Sequence, residues 1–304
     1  MISRLKLQWP LHVFVWLGLV YLVVFSLVPL GGLWIAFHEI DIRGGFAGLF
    51  GGEFVGLKYF EQFFTDRKFP NLLKNTLFIS ILKLITSFPI AILFAIFINE
   101  MPGRRFKRLV QTVSYLPHFI SWVIVAGIFF AFFSTYNGVL NDMFLRLGII
   151  KEPIDILYDP EKYYTLAVVS ELWKETGWNA IIYLAAISGI DQELYEAAQI
   201  DGAGRLKRIR HITLPGIQAT VAVILILNIG SLLSGANFDQ AMMLRNNLNI
   251  SRSEVFAVHI YEVGLGLGRY SYATAAGLVQ SLVSMILVLT ANRIAAKTTD
   301  TSLF

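Results

Sequence analysis

Residues 196–215 read EAAQIDGAGRLKRIRHITLP, and they lie between two long apolar stretches of a hydrophobic chain. Glu196, Ala197 and Ala198 come first, Gly202 follows Ala198 by four positions, and Ile212, Leu214 and Pro215 close the run. Each of these residue types has a physical use at its position. Small Ala197 and Ala198 let a helix approach a partner closely. Gly202 permits a turn between two short helices. Pro215 can begin the next apolar helix, where its missing N–H costs nothing. The segment has no chemistry of its own. It is a shape that fits into something else.

Working outward, the chain has 304 residues, of which 56% are hydrophobic and 15% charged, with a mean hydropathy of +0.62. That is the composition of a polytopic membrane protein. The net charge of +4 does not point to nucleic acid, because the basic residues fall in short loops between apolar spans. There are no cysteines, which excludes disulfides, thiolate metal sites and cysteine nucleophiles. Residues 13–37 carry no formal charge. At about 1.5 Å per residue they exceed the roughly 30 Å hydrocarbon core. They are too long for a signal h-region and lack an evident cleavage site, so they are read as a retained first helix.

The hydropathy pattern predicts an all-α integral membrane protein with six spans, near 13–37, 72–98, 109–133, 164–190, 216–236 and 271–292. The segments between them alternate. The inner candidates (1–11, 99–108, 191–215, 291–304) hold 12 Lys and Arg in 60 residues, including Arg104, Arg105, Lys107 and Arg108. The outer candidates (38–70, 134–163, 237–270) hold 10 in 97 residues, with 13 acidic residues. The inner side has about twice the basic density, which places both termini, and the 191–215 loop, in the cytoplasm. Val255, Phe256, Val258, Ile260, Tyr261 and Val263 form an apolar run too brief to span.

Catalytic signatures are mostly absent. No GxxxxGK[ST] occurs, so ATP is not expected in a P-loop here. Gly264, Gly266 and Gly268 follow no strand of a βαβ unit and do not make a nucleotide fingerprint. The five histidines show no metal-binding spacing. The better leads are polar residues inside spans. In ELWKETGWNA, Glu171, Lys174 and Glu175 recur at i, i+3 and i+4, with Trp173, Trp178 and Asn179 beside them. Ionisable groups in a span are costly unless they are paired or face water. Two readings stand: a cavity lining, or a self-neutralising anchor near the outer interface. His118 in YLPHFISW sits about 13 Å above the cytoplasmic end of its span. It either serves a site or bonds a neighbouring carbonyl. Asn228, Ser231, Ser234 and Asn237 leave a polar stripe on the fifth span, and Asn228 and Ser231 read best as interhelical glue. Lys74 and Lys83 read as snorkelling or paired.

The spacing E-A-A, three residues, G, nine residues, I-x-L-P resembles the EAA loop of ABC importer permeases. YLPHFISWVIVAGI (115–128), ELWKETGWNAIIYLAAISGI (171–190) and IYEVGLGLGRYSYATAAGL (260–278) extend the resemblance over essentially the whole chain. They are similar to the polysaccharide-type branch of carbohydrate permeases with the MetI-like type I importer fold. The resemblance implies an N-terminal helix and outer loop over 1–70, a transmembrane core over 71–295 and a cytoplasmic tail over 296–304. It implies a second related permease, an ATPase homodimer carrying ATP and Mg, an extracytoplasmic solute-binding protein and an oligosaccharide cargo. No cofactor is expected in this chain. Glu196, Ala197, Ala198, Asp201 and Gly202 would meet the ATPase. Matching to the maltose branch puts pathway positions at Ser114, His118, Glu171, Lys174, Glu175, Trp178, Ser234 and Asn237. The charged and bulky residues here imply a different sugar, and uronate-containing fragments of pectin or alginate stay open as the cargo. Two rival classes remain for test: a membrane enzyme acting on lipid-linked sugars, with Glu171 or Glu175 as acid–base, and a passive channel.

The topology is checked by labelling, which starts from a background without cysteine. Single cysteines at Thr299 and Arg104 are expected to resist an impermeant thiol reagent applied outside, and one at Asp155 to react. The reverse pattern refutes the orientation.

Overall fold

The charge-free run at 13–37 forms one continuous helix. In this computed structural model, which describes residues 9–40, 45, 48, 51–233 and 238–299, α1 (Trp9–Leu22) continues through a π turn and a 3-10 turn to Phe37. Apolar residues surround it on all sides, and none of its most apolar 18-residue window is buried within the chain. A helix of that kind is solvated by hydrocarbon rather than by its own protein.

The chain divides into two units. The first comprises residues 1–67 and 260–279. There a short antiparallel hairpin pairs β1 (His38–Glu39) with β2 (Glu53–Phe54), with His38 opposite Phe54. Gly52 makes that turn possible, because a Cβ on it would fall on the carbonyl of Glu39. The following α2 (Lys58–Thr65) buries Phe63, whose ring meets Tyr272 edge-on at 6.1 Å. The Ser271 hydroxyl donates to the buried carbonyl of His38 at 2.7 Å, and Tyr272 donates to Asp66 at 3.1 Å.

The second unit comprises residues 68–259 and 280–304. Its axis is α3 (Phe69–Glu100), a helix of 32 residues, about 48 Å long at 1.5 Å per residue. Against it packs α7 (Tyr163–Ser188), in the most extensive helix–helix contact of the described residues. Small side chains permit that approach: Ala91 and Ala95 of α3 and Ala180 of α7 are buried together with Tyr183, Ile187 and Ile217. A second cluster gathers Ile79, Val125, Phe129, Tyr163, Leu166 and Leu244. Between these helices runs α4 (Arg104–Tyr115), which passes through a 3-10 turn at Leu116–Phe119 and then breaks. Beyond it, α5 (Trp122–Phe133) departs at 103°. Pro117 supplies no N–H, Ile120 is extended at ψ 131°, and Ser121 caps α5 by accepting from the Ile124 amide. At this break α4 comes so close to α7 that a Cβ on Gly177 would overlap the Ser114 carbonyl.

Next come α6 (Val139–Arg146), α8 (Gln192–Ile200), α9 (Arg205–Arg208), α10 (Gln218–Gly230), α11 (Phe238–Leu244), α12 (Ile250–Ser253), α13 (Phe256–Tyr261) and α14 (Tyr270–Thr299). Three stretches among the described residues are long and apolar enough to cross a membrane: His12–Phe37, Phe69–Glu100 and Tyr270–Lys297. Two bent pairs, one at the 103° break and one bent by 60° at Ile217, raise the number to five. The structure therefore supports three to five spans in a mostly helical fold, rather than showing all six of the expected ones. α7 is long enough at 26 residues, but Glu171, Lys174 and Glu175 in its middle interrupt its apolar run.

Asn75 and Gln240 show how buried polar groups in this unit are held by backbone and side-chain partners together. Asn75 donates to the carbonyls of Ser251 and Glu254 at 3.1 and 3.0 Å, and its Oδ1 accepts from Tyr164 at 2.8 Å. Gln240 donates to the Ala167 carbonyl at 2.7 Å and the Ser170 hydroxyl at 2.8 Å. Glu254 lies between α12 and α13, beside His259 at 3.4 Å and Lys68 at 2.9 Å. The hydrogen bond from His259, and then Lys68, hold its carboxyl down at about 2 against the opposing effect of burial.

Two predictions follow from this packing. Gly177→Val is expected to lower the melting temperature of the solubilised protein by about 5 °C or more through overpacking. Gly127→Val, with no atom within 4 Å of the added Cβ, is expected to leave it within about 2 °C; equal melting of the two variants would contradict the close approach. Because the Glu254 carboxyl titrates lower in the folded protein, its stabilisation is complete above the unfolded value near 4.5 and is lost as pH falls toward 2. Glu254→Gln is therefore expected to destabilise at neutral pH and to flatten the loss of stability between pH 4.5 and 2, measured by acid unfolding.

Candidate functional site

The charged turn of α7 cannot leave its groups alone in an apolar surrounding, and every member has a partner. Glu171 accepts from Lys83 of α3, Nζ to Oε2 at 3.0 Å. Lys174 donates to the His118 carbonyl at 2.7 Å and to Glu175 Oε1 at 2.8 Å. Glu175 Oε2 meets His118 Nδ1 at 2.6 Å. The His118 ring lies flat on Trp178, with centroids 4.1 Å apart and planes 1° apart. Phe119 closes the edge of that stack at 5.4 Å and 82°. Trp122 lies under the Lys174 ammonium, 5.6 Å from its centroid.

Four expected residues thus come together: His118, Lys174, Glu175 and Trp178. Glu171 turns to α3 instead. Lys174 is 4% exposed, so its ammonium lies behind the surface and ties the 116–119 turn to α7. Glu175 and Glu171 are half-buried, and Trp178 is 39% exposed. One Trp178 face is covered by His118. Ser114 contributes its backbone to the contact with Gly177, while its hydroxyl donates to the Gln111 carbonyl at 3.1 Å. Ser234 and Asn237 lie outside the described residues.

Beside this cluster, between α3, α7 and α10, lies a cavity of about 160 Å³. Its polar lining includes Ser80, Lys83, Ser87, Glu171, Asn179 and Asn228. Ser80, Lys83 and Ser87 were not singled out as site residues in the sequence. Their recurrence at i, i+3 and i+7 was a signal that could have identified them. Lys83 pairs, as its position in a span suggested, but its pair forms a wall of this cavity. Lysine and glutamate neutralise each other two by two, which leaves the imidazole as the additional polar group. Among the described residues no group of three or more His, Cys, Asp or Glu side chains can hold a metal.

The 191–215 segment forms the two short helices its glycine implied. Asp191 caps α8 by accepting from the Glu193 amide at 3.0 Å. Gly202 stops it at φ +74°, a conformation that a Cβ disfavours. Glu196, Ala197, Asp201 and Gly202 are exposed and Ala198 is half-buried. Two features escaped the sequence reading. The Tyr195 and Thr213 hydroxyls are 2.9 Å apart, with Thr213 buried, which clamps the loop shut at its base. Ile200, one helical turn beyond Glu196, and Leu206 of the next helix stand exposed at 86% and 80%.

The model of the family described as "Binding-protein-dependent transport system inner membrane component" matches residues 87–296. The chain is 42% identical to protein LplB of Bacillus subtilis (strain 168), over 94% of this chain and 88% of that one. It is 41% identical to the polygalacturonan/rhamnogalacturonan transport system permease protein YteP of the same organism, over 98% and 91%. A crystal structure of a bacterial alginate ABC transporter in complex with an alginate pentasaccharide-bound periplasmic protein contains a similar chain. That chain superposes with a TM-score of 0.88 at 35% identity, covering 100% of this chain and 99% of that one. The chain belongs to this family of inner-membrane components: it is a sugar importer permease, a transport subunit rather than an enzyme.

Proposed function

We propose that this permease forms half of a pathway for acidic, uronate-containing oligosaccharides. The observation that carries the reading is the cluster of His118, Glu175 and Trp178, held in place by Lys174 at the break between α4 and α5. Partly exposed indole and imidazole offer an apolar surface of the kind that sugar C–H faces pack on, and the carboxylates and Lys83 offer hydrogen bonds. Support for an acidic cargo comes from relatives whose names specify polygalacturonan and rhamnogalacturonan, and from the alginate transporters of similar fold. The Lys83–Glu171 pair is where a cargo carboxylate finds a cation, by taking the place of Glu171.

In this reading the chain has six spans, the first within 1–70 and five in the core domain over 71–295, with α7 as the fourth, and both termini are cytoplasmic. The charged turn of α7 is stable inside the membrane because its charges are paired. The chain assembles with a second permease, an ATPase homodimer and a solute-binding protein. The 191–215 loop seats Glu196, Ala197 and Ile200 on the ATPase, with Asp201 and Gly202 shaping the turn. ATP binding draws the two loops together, and the site alternates between outward and inward access. A passive channel has no use for that loop and would carry flux without ATP.

Two experiments test this. In vesicles containing the whole assembly, Trp178→Ala is expected to lower oligosaccharide uptake by about tenfold or more, while basal ATP hydrolysis and subunit assembly persist. Lys83→Gln is expected to reduce uptake of a galacturonate oligomer more than that of its neutral counterpart; unchanged uptake of both sugars in both variants would remove the site. Separately, Glu196→Lys and Ile200→Asp are each expected to reduce ATPase co-purification or substrate-stimulated hydrolysis while leaving membrane insertion intact. Normal assembly and turnover in both would rule out the coupling role.

A further inference from the structure

The arginines at the start of α4 play no part in the reading above. Arg104, Arg105 and Arg108 are exposed, and none has an acidic partner among the described residues. The nearest acid in sequence, Glu100, is directed at Arg205, 4.0 Å away. Lys107, in the same run, points elsewhere, and its ammonium donates to the Asn99 carbonyl at 3.4 Å. Three guanidinium groups are therefore left with a shared, unused charge.

Helical phase places them beside an apolar strip. At 100° per residue, Arg104, Arg108, Thr112 and Arg105 fill one arc, and Leu109, Val113 and Phe106 fill the adjoining arc. Those three apolar side chains are 58%, 61% and 57% exposed. Arg104, Arg105, Arg108, Leu109 and Thr112 together border one open, shallow cavity on a single face of α4. It begins four residues beyond the end of the long apolar helix α3.

We propose that this cavity binds the phosphate diester of an anionic phospholipid, with the acyl chains lying along Leu109, Val113 and Phe106. Guanidinium forks match phosphate oxygens in geometry as well as charge. Basic clusters flanking membrane helices attract anionic headgroups. A free phosphate would use the arginines and leave the apolar strip bare, whereas a phospholipid uses both halves of the arc. The site lies outside the sugar cluster and does not depend on the nature of the cargo.

The test uses the complete purified importer, with retained lipid counted by native mass spectrometry after exposure to phosphatidylglycerol or phosphatidylcholine. The wild type is expected to retain phosphatidylglycerol selectively, and millimolar inorganic phosphate is expected not to displace it. Replacing Arg104, Arg105 and Arg108 together with Gln is expected to lower retention at least about tenfold. Because that variant also removes a topology signal, Thr112→Glu serves as the second probe. It keeps all three arginines, sets a carboxylate in the cavity and is expected to give the same loss. Unchanged retention in Thr112→Glu overturns the proposal, as does equal retention of the two lipids. Displacement by inorganic phosphate would reassign the cavity to a free anion. Loss of a protein subunit from Thr112→Glu with lipid retention unchanged would reassign it to a protein contact.

Discussion

A charge in an apolar surrounding must be paired, and this constraint organises the second unit. α7 carries Glu171, Lys174 and Glu175 in its middle. An isolated charge in an apolar surrounding would cost several kcal/mol. The structure meets the cost by bringing two other segments to the helix: α3, with Lys83 at 3.0 Å from Glu171, and the 116–119 turn, with the His118 carbonyl and imidazole. The positions of α3, α4 and α5 around α7 thus follow from electrostatics as much as from apolar packing.

The break between α4 and α5 is the geometric counterpart of that constraint. A straight helix from Arg104 to Phe133 would satisfy its own backbone and leave the Lys174 ammonium one acceptor short. The break at Pro117–Ser121 frees the His118 carbonyl, and Lys174 takes it. Gly177 permits the contact because it adds no atom between the two backbones. Irregular backbone is tolerated at membrane depth only where other groups resatisfy it. The same break sets imidazole on indole, which is where the proposed sugar surface arises. Backbone repair and ligand surface share one set of atoms.

Outside the apolar region the constraints relax, and the surfaces change character. The 191–215 loop is held by local devices: the Asp191 cap, the left-handed Gly202 and the Tyr195–Thr213 bridge. It exposes large apolar side chains at Ile200 and Leu206, which a free-standing subunit would keep from water. The start of α4 exposes unpaired arginines. One surface suits a protein groove and the other an anionic headgroup; the first lies in the 191–215 segment and the second begins in the 99–108 segment, both read from the sequence as inner.

Much of this was legible in the sequence. Span length depends on a local count of apolar residues, so helices at 13–37, 72–98 and 271–292 could be anticipated without any partner. The turn at Gly202 is likewise decided by a single residue. Pro215 does not begin the next apolar helix as expected: it lies in the last turn of the helical stretch from Arg205 to Gly216, and the next helix starts at Gln218 beyond a 60° bend. Residue spacing placed Lys174 and Trp178 one turn apart on the same side of a helix. It could not say which neighbour each would meet, because helical phase defines a face and not what stands opposite. Lys83 and Glu171 are 88 residues apart, and His118 and Glu175 are 57 apart. Only the packing of α3 and the broken α4–α5 segment onto α7 brought them within bonding distance. That packing buried the Lys174 ammonium and covered one face of Trp178, because the energy of an ionic or stacked pair depends on distances set by the tertiary fold.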